Sequence, residues 1–404
     1  MMPGLFDPAR HEALQAPPWD EAAAREAVRR IAASALADFE PGLGWRAHPL
    51  DEPERPIECF HNLYLGAGGV IWALRHLVQV GAIERGPDFT PFAATLRDAN
   101  RPLLAGYPHG SASYLFGDAG LDLLHWTLQP DETLAQRLFD TVRGNLNNLA
   151  GEALWGNPGT VLAAIHMAEI TGEARWATLV CEAADALLAN MRLDADTGTW
   201  LWQQNLYGRA PVRYLGAGHG FAGNVYPFLR ASALLPSEQV ALVCERALAT
   251  LQVTAHRVDG GANWFAGIHP QRLPGVLPLV QDCHGAPGIV NRLAGAPCTR
   301  EWDRLLLQAG ELTWRAGPLI KGAGLCHGTA GSAFAMLKLW RRSGEPVWLD
   351  RARTLAMHGC GQVARSRAEY QRGRHSLWTG DLGLACLLWN CIAGNDDLPT
   401  LDVF

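Results

Sequence analysis

Apolar and polar residues fall along this chain in blocks at helical spacing, and one short phrase punctuates those blocks seven times. The phrase is two glycines three apart, followed by about three helical turns of almost wholly apolar sequence. Its copies are LGAGGVIWALRHL at Leu65, FGDAGLDLLHWTL at Phe116, WGNPGTVLAAIHM at Trp155, HGFAGNVYPFL at His219, HGAPGIVNRL at His284, HGTAGSAFAML at His327 and TGDLGLACLLWNC at Thr379. The second glycines (Gly69, Gly120, Gly159, Gly223, Gly288, Gly331 and Gly383) are spaced by 51, 39, 64, 65, 43 and 52 residues. That period holds two helices and two connections. Between the copies, apolar residues recur at helical spacing with Arg, Glu and Asp among them. These segments are Trp19 to Asp38, Asp131 to Ala150, Glu173 to Met191, Ser237 to Thr254, Thr299 to Ala316 and Val347 to Arg365. They predict helices with one buried and one wet face, whereas the stretches after the glycines predict helices buried all round. Glycine at each turn permits positive φ and close backbone approach.

The pattern predicts an all-α fold of seven helical hairpins, an inner ring of seven helices inside an outer ring of seven. The glycine turns then face one end. An open solenoid satisfies the same periodicity. Strand signals are confined to 198–203 and 207–214. We expect one domain over 1–404, with 1–55 as an N-terminal extension plus first outer helix and 56–404 as the repeat core. The first fifty residues, with Pro17-Pro18 and the DEPERP stretch at Asp51, either cap the ring or reach over its mouth.

Composition narrows the class. Charged residues are 18% and hydrophobic residues 48%, against about 25% charged in an average chain, which excludes a disordered protein. The net charge is -6 with no basic block, which argues against a nucleic-acid partner. No apolar run approaches the ~20 residues of a membrane span. The N-terminus lacks the basic head and apolar run of a signal peptide. The expectation is a soluble cytoplasmic protein with its nine cysteines mostly reduced. Of the 43 glycines, 14 belong to the repeat pairs, so the glycine excess is the repeat itself.

The informative positions are those where one copy departs from the others. The two residues before the first glycine are, in order, Tyr-Leu, Leu-Phe, Leu-Trp, Gly-His, Cys-His, Cys-His and Trp-Thr. Copies four to six thus place His219, Cys283-His284 and Cys326-His327 at one end of adjacent inner helices. Two cysteines and a histidine from neighbouring hairpins match a zinc site with three protein ligands and an open fourth position. A single Cys-His pair would read as packing at a helix start; two pairs in register favour a metal. Cys386 and Cys391, inside an apolar helix, read as core.

The stretches GAGHGFAG, DCHGAPGI and KGAGLCHGTAGSAFAML closely resemble the motifs of the lanthionine synthetase C-like proteins, and the seven glycine repeats extend the resemblance from about Leu63 to Trp389. The resemblance implies an α/α toroid binding one zinc ion, with Cys283, Cys326 and His327 as ligands and His284 in a supporting or substrate-contact role. CHGAPG, KGAGLCHG and GEALWGNPG look closer to the glutathione-binding, eukaryotic-type branch. Lys321, one of only two lysines, matches a family lysine implicated in glutathione binding; the other, Lys338, carries no assigned role. Glu152 stands where the family has an acidic residue near the metal, although a carboxylate at a helix start also suits the dipole. Two positions depart from the pattern. Asp282 replaces a common tryptophan, and Leu279 stands where bacterial cyclases commonly carry an arginine.

The activity implied is addition of a thiol, from glutathione or a peptide cysteine, to a dehydroalanine or dehydrobutyrine residue of a peptide or protein, forming a thioether. His219 is then the acid that protonates the resulting enolate, or the base that takes the thiol proton. Lanthipeptide cyclisation, and a non-catalytic zinc and glutathione-binding regulatory role, are the alternatives.

Overall fold

The computed structural model describes residues 4–51, 57–107, 110–206, 211–268 and 275–404. Among these, fourteen α-helices follow one another in strict alternation. The odd-numbered helices are α1 (Glu21–Ala37), α3 (Thr90–Leu104), α5 (Glu132–Gly144), α7 (Ala174–Ala189), α9 (Ser237–Thr254), α11 (Arg300–Ala316) and α13 (Pro346–Tyr370). The even-numbered ones, each following a glycine pair, are α2 (Ala67–Gln79), α4 (Asp118–Leu128), α6 (Asn157–Thr171), α8 (Phe221–Arg230), α10 (Ala286–Leu293), α12 (Thr329–Ser343) and α14 (Asp381–Ala393). Each even helix packs on the next even one, and α14 packs on α2, so the ring closes and the open solenoid is excluded. The first outer helix, α1, packs on α14 and completes the last hairpin. The fold is the all-α toroid, with the predicted inner and outer helices in place.

Local chemistry sets the boundaries. Asp20, Asp131 and Thr299 cap α1, α5 and α11 by accepting the N–H of Ala23, Leu134 and Trp302. The apolar period carries the sequence reading of α5 to Ala150, but Asn145 and Asn148 end the helix at Gly144. There Asn148 Nδ2 bonds Asn145 Oδ1, and Asn148 Oδ1 accepts Ala150 N–H. α13 runs past Arg365 to Tyr370 and stops where Gln371 turns left-handed at φ 56.

The second glycine of every pair is required by packing. A Cβ there would lie well under 3.0 Å from the carbonyl oxygen six residues earlier, for example Leu325 O at Gly331 and Asp282 O at Gly288. The first glycines cap the helices in extended conformation; the positive φ expected of these turns occurs only at Gly285, φ 120.

The two longest repeat spacings, on either side of Gly223, hold two antiparallel hairpins: β1 (Arg192–Asp194) with β2 (Thr199–Leu201), and β3 (His256–Val258) with β4 (Gly261–Asn263). The second turns at Asp259-Gly260, both at positive φ. Of the extended segment expected at 207–214, residues 207–210 lie outside the described residues. Its far end pairs as Gln204↔Val212 and Tyr214↔Gly267.

The N-terminal segment reaches along the rim of the mouth. Glu12 N–H and Ile320 N–H exchange backbone bonds with Pro318 O and Arg10 O. The Glu12 carboxylate takes His358 Nε2, Gln362 Nε2 and Arg365 Nη2 at 2.6–2.9 Å. At the opposite end the C-terminal residues turn inward: Asp402 accepts Tyr226 O–H at 2.5 Å and Lys338 Nζ at 2.9 Å, which gives Lys338 a structural partner. No helix among the described residues is long and apolar enough to cross a membrane.

Candidate metal centre and its mouth

The glycine turns are stitched to one another around the inner mouth. Gly218 N–H donates to Cys283 O, Cys283 N–H to Cys326 O, Cys326 N–H to Trp378 O, Trp378 N–H to Tyr64 O and Tyr64 N–H to Leu115 O, at 2.8–3.2 Å. Each residue stands two before the first glycine of its own pair. The repeat register therefore becomes spatial adjacency, and the Cys-His pairs of copies five and six must lie side by side. In copies one to three the same level is aromatic: the Tyr64 and Phe116 rings are 4.7 Å apart, and Phe116 and Trp155 4.9 Å.

Cys283, Cys326 and His327 each present one ligand atom, all within 4.8 Å of one another. A hydrogen bond from Cys326 draws the Cys283 thiol well below its ordinary value, with His327 adding to the effect against burial; Cys326, the donor, is pushed up. Gln281 Nε2 also donates to Cys283 Sγ at 3.0 Å. Two thiols, one already favoured as thiolate, and an imidazole form a soft, anionic donor set that fits zinc.

Asp282, beside these ligands, points into the core. Arg292 meets it at 2.9 and 3.2 Å and Asn291 Nδ2 at 2.8 Å, so this departure from the family pattern is a matched buried ion pair. Burial still holds its carboxyl above the ordinary value. Leu279 is half-buried and lines a small cavity below Lys321.

Around Cys283 stand the other residues singled out in the sequence. Glu152 is fully buried, not an exposed carboxylate at a helix start. Its oxygens accept Leu154 N–H at 3.1 Å, Trp155 N–H at 2.7 Å and His219 Nδ1 at 2.9 Å. Burial would lower His219, but the hydrogen bond and charge of Glu152, helped by Cys283, outweigh it and hold its pKa above 6.5. His284 lies 5.8 Å from His219, ring to ring; burial lowers it, and its Nδ1 is buried without a partner. Tyr214, which the sequence reading passed over, closes this group at 6.2 Å from His219 and 5.7 Å from His284.

Lys321 sits elsewhere, at the edge of a cavity of about 400 Å³ that reaches His327. Arg365, Arg374, Glu12, Thr379 and Asp381 also line it. Asp51 crosses from the N-terminal segment to pair with Arg374 and to accept Thr379 O–H at 2.7 Å. Burial pushes the Asp381 carboxyl up to about 7 against the charges of Arg367 and Arg374. Sequence reading set none of these cavity residues beside Lys321, since nothing local links residues 12 and 365 to it.

The chain resembles known proteins along most of its length. The family model "Lanthionine synthetase C-like protein" matches residues 60–403. The LanC-like protein GCL1 of Arabidopsis thaliana is 29% identical over 61% of this chain, a match spanning 56% of that relative. The Danio rerio protein named glutathione S-transferase LANCL1 is 27% identical over 76% of this chain and 77% of its own length. Among solved structures, nisin cyclase superposes with a TM-score of 0.56 at 14% identity, covering 83% of this chain and 94% of that one, a likeness of fold. The model match over most of the chain is decisive: this protein belongs to the lanthionine synthetase C-like family.

Proposed function

We propose that the protein adds the thiol of glutathione, or of a peptide cysteine, to dehydroalanine or dehydrobutyrine residues, with one zinc ion held by Cys283, Cys326 and His327. The observation that carries this reading is the convergence of those three ligand atoms beside a cation-edged cavity that reaches His327. The eukaryotic-type relative named for glutathione supports it. Zinc at this site would supply a Lewis acid that lowers the pKa of an incoming thiol.

The chain's own residues do the rest. Lys321 offers positive charge to a carboxylate of glutathione, in a cavity large enough for a ligand of that class. The thiol gives up its proton to water as its sulfur bonds to the β-carbon of the acceptor, the C=C electron pair moves to the α-carbon and its carbonyl, and a proton is delivered to the α-carbon. One proton is lost at sulfur and one gained at carbon, and no other group leaves. His219, whose protonated form the Glu152 carboxylate favours, is the donor we assign.

Purified zinc-loaded protein incubated with glutathione and a dehydroalanine peptide should yield an adduct heavier by one glutathione in mass spectrometry. Bound glutathione without adduct would leave a binding role, and a peptide that loses its free thiol without mass change would indicate cyclisation. Cys326→Ala should lose zinc; full retention would overturn the ligand assignment.

A further inference from the structure

We propose that Tyr214 positions the acceptor, holding a neutral, planar unsaturated residue of a peptide against His219. The inference rests on the thiol-addition reading and says which side of the centre each substrate uses.

The two edges of the candidate centre present different side chains. The cavity at His327 carries Lys321, Arg365 and Arg374 at its walls, with the carboxylates of Glu12, Glu369 and Asp381 among them. The edge at Cys283 carries the buried Glu152 carboxylate, its partner His219, His284 and Tyr214. A thiol donor with two carboxylates finds cationic side chains at the first edge, whereas the second offers it a buried carboxylate. A dehydroamino-acid residue within a peptide is uncharged and flat, because its C=C is conjugated with the amide. Three rings 5.7–6.2 Å apart offer it flat faces to lie against.

Tyr214 is fixed where it stands. Its N–H donates to the side chain of fully buried Gln204 at 2.7 Å, and its carbonyl accepts Phe221 N–H at 3.0 Å. It bridges to Gly267, where an added Cβ would come within 3.2 Å of the Tyr214 ring. These supports belong to the extra chain that makes the repeat spacings around Gly223 the longest, 64 and 65 residues. The additional length is therefore placed at the acceptor edge, and it presents an aromatic ring to the histidine that moves the proton.

The test is steady-state kinetics with glutathione and a neutral dehydroalanine peptide, each varied in turn, on Tyr214→Ala and Tyr214→Phe. Tyr214→Ala should raise the peptide KM about tenfold, as loss of an aromatic contact predicts, with zinc content unchanged and the glutathione KM within about twofold. Tyr214→Phe should restore the peptide KM. An unchanged peptide KM in Tyr214→Ala, an equal rise for glutathione, or no rescue by phenylalanine would overturn the assignment while leaving thiol addition intact. A wild-type protein that forms no adduct overturns the underlying reading and this assignment with it.

Discussion

Replacing Glu152 by glutamine isolates the electrostatics of the mouth. Three donors converge on its two oxygens: Leu154 N–H and His219 Nδ1 on Oε2, Trp155 N–H on Oε1. A glutamine of the same shape keeps one acceptor oxygen and turns an NH2 group toward the remaining donor. One buried donor is left unmatched, at a cost of about 1–3 kcal/mol. The charge that holds His219 up is lost as well. Burial, the largest influence on that imidazole, is then opposed only by the weaker influence of Cys283 and takes it below 6.5. The sign follows from linkage: a histidine raised in the folded state adds stability that is full below its unfolded value and disappears as pH rises through its folded value. The stability gap between wild type and Glu152→Gln should therefore be wide at about pH 6 and shrink at about pH 9 to the orphaned-donor contribution alone. Urea titrations at both pH values measure it, and the pH–rate profile of adduct formation should lose its alkaline reach. An equal gap at both pH values would refute the charge argument; no gap at either would refute the matching of the buried carboxylate.

Asp381, raised to about 7 by burial, contributes stability that is full below its unfolded value near 3.8 and lost as pH rises through 7. Asp381→Asn should thus stabilise the protein above neutral pH, by up to about 4 kcal/mol, and little at acid pH; urea midpoints at both ends test this. Gly331→Ala, whose Cβ would strike Leu325 O, should displace Cys326 and His327 and lower zinc content. Gly361→Ala, mid-α13 with nothing nearer than 3.6 Å, should raise stability by about 0.5–1 kcal/mol. Arg292→Met should cost about 3–5 kcal/mol by stranding Asp282, and adding Asp282→Asn should recover part of the loss; a double mutant no better than the single would show that the pair is not the cause.

The glycine pairs made the hairpins legible, because each second glycine answers a local contact six residues away and so leaves a local mark. The nearness of the two Cys-His pairs was legible because the repeat register becomes adjacency through the backbone bonds between turns. Ring closure left no such mark, since α14 meets α2 and α1 across nearly the whole chain. The burial of Glu152 depends on His219, 67 residues away. The three-residue strands β3 and β4 are too short for a period of two to show, although Asp259-Gly260 is a turn signal that sequence alone offers. Tyr214 was hidden by its ordinary surroundings, RYLGAGHG, and only the ring distances to the two histidines set it apart.

The docking of α1 on α14 has a kinetic consequence. Adjacent hairpins meet after closing loops of about 50 residues, whereas this contact closes one of about 350. By the logarithmic dependence on loop length the added entropic penalty is only about 1.7 kcal/mol. The last contact is thus thermodynamically easy, yet it cannot form during synthesis until nearly the entire chain has emerged. Until then α1 carries an exposed helical surface whose complement, on α14, has yet to be made. That surface fits the α14 of a second chain as well as its own, so exchange of α1 between copies is the misassembly that this architecture must outrun.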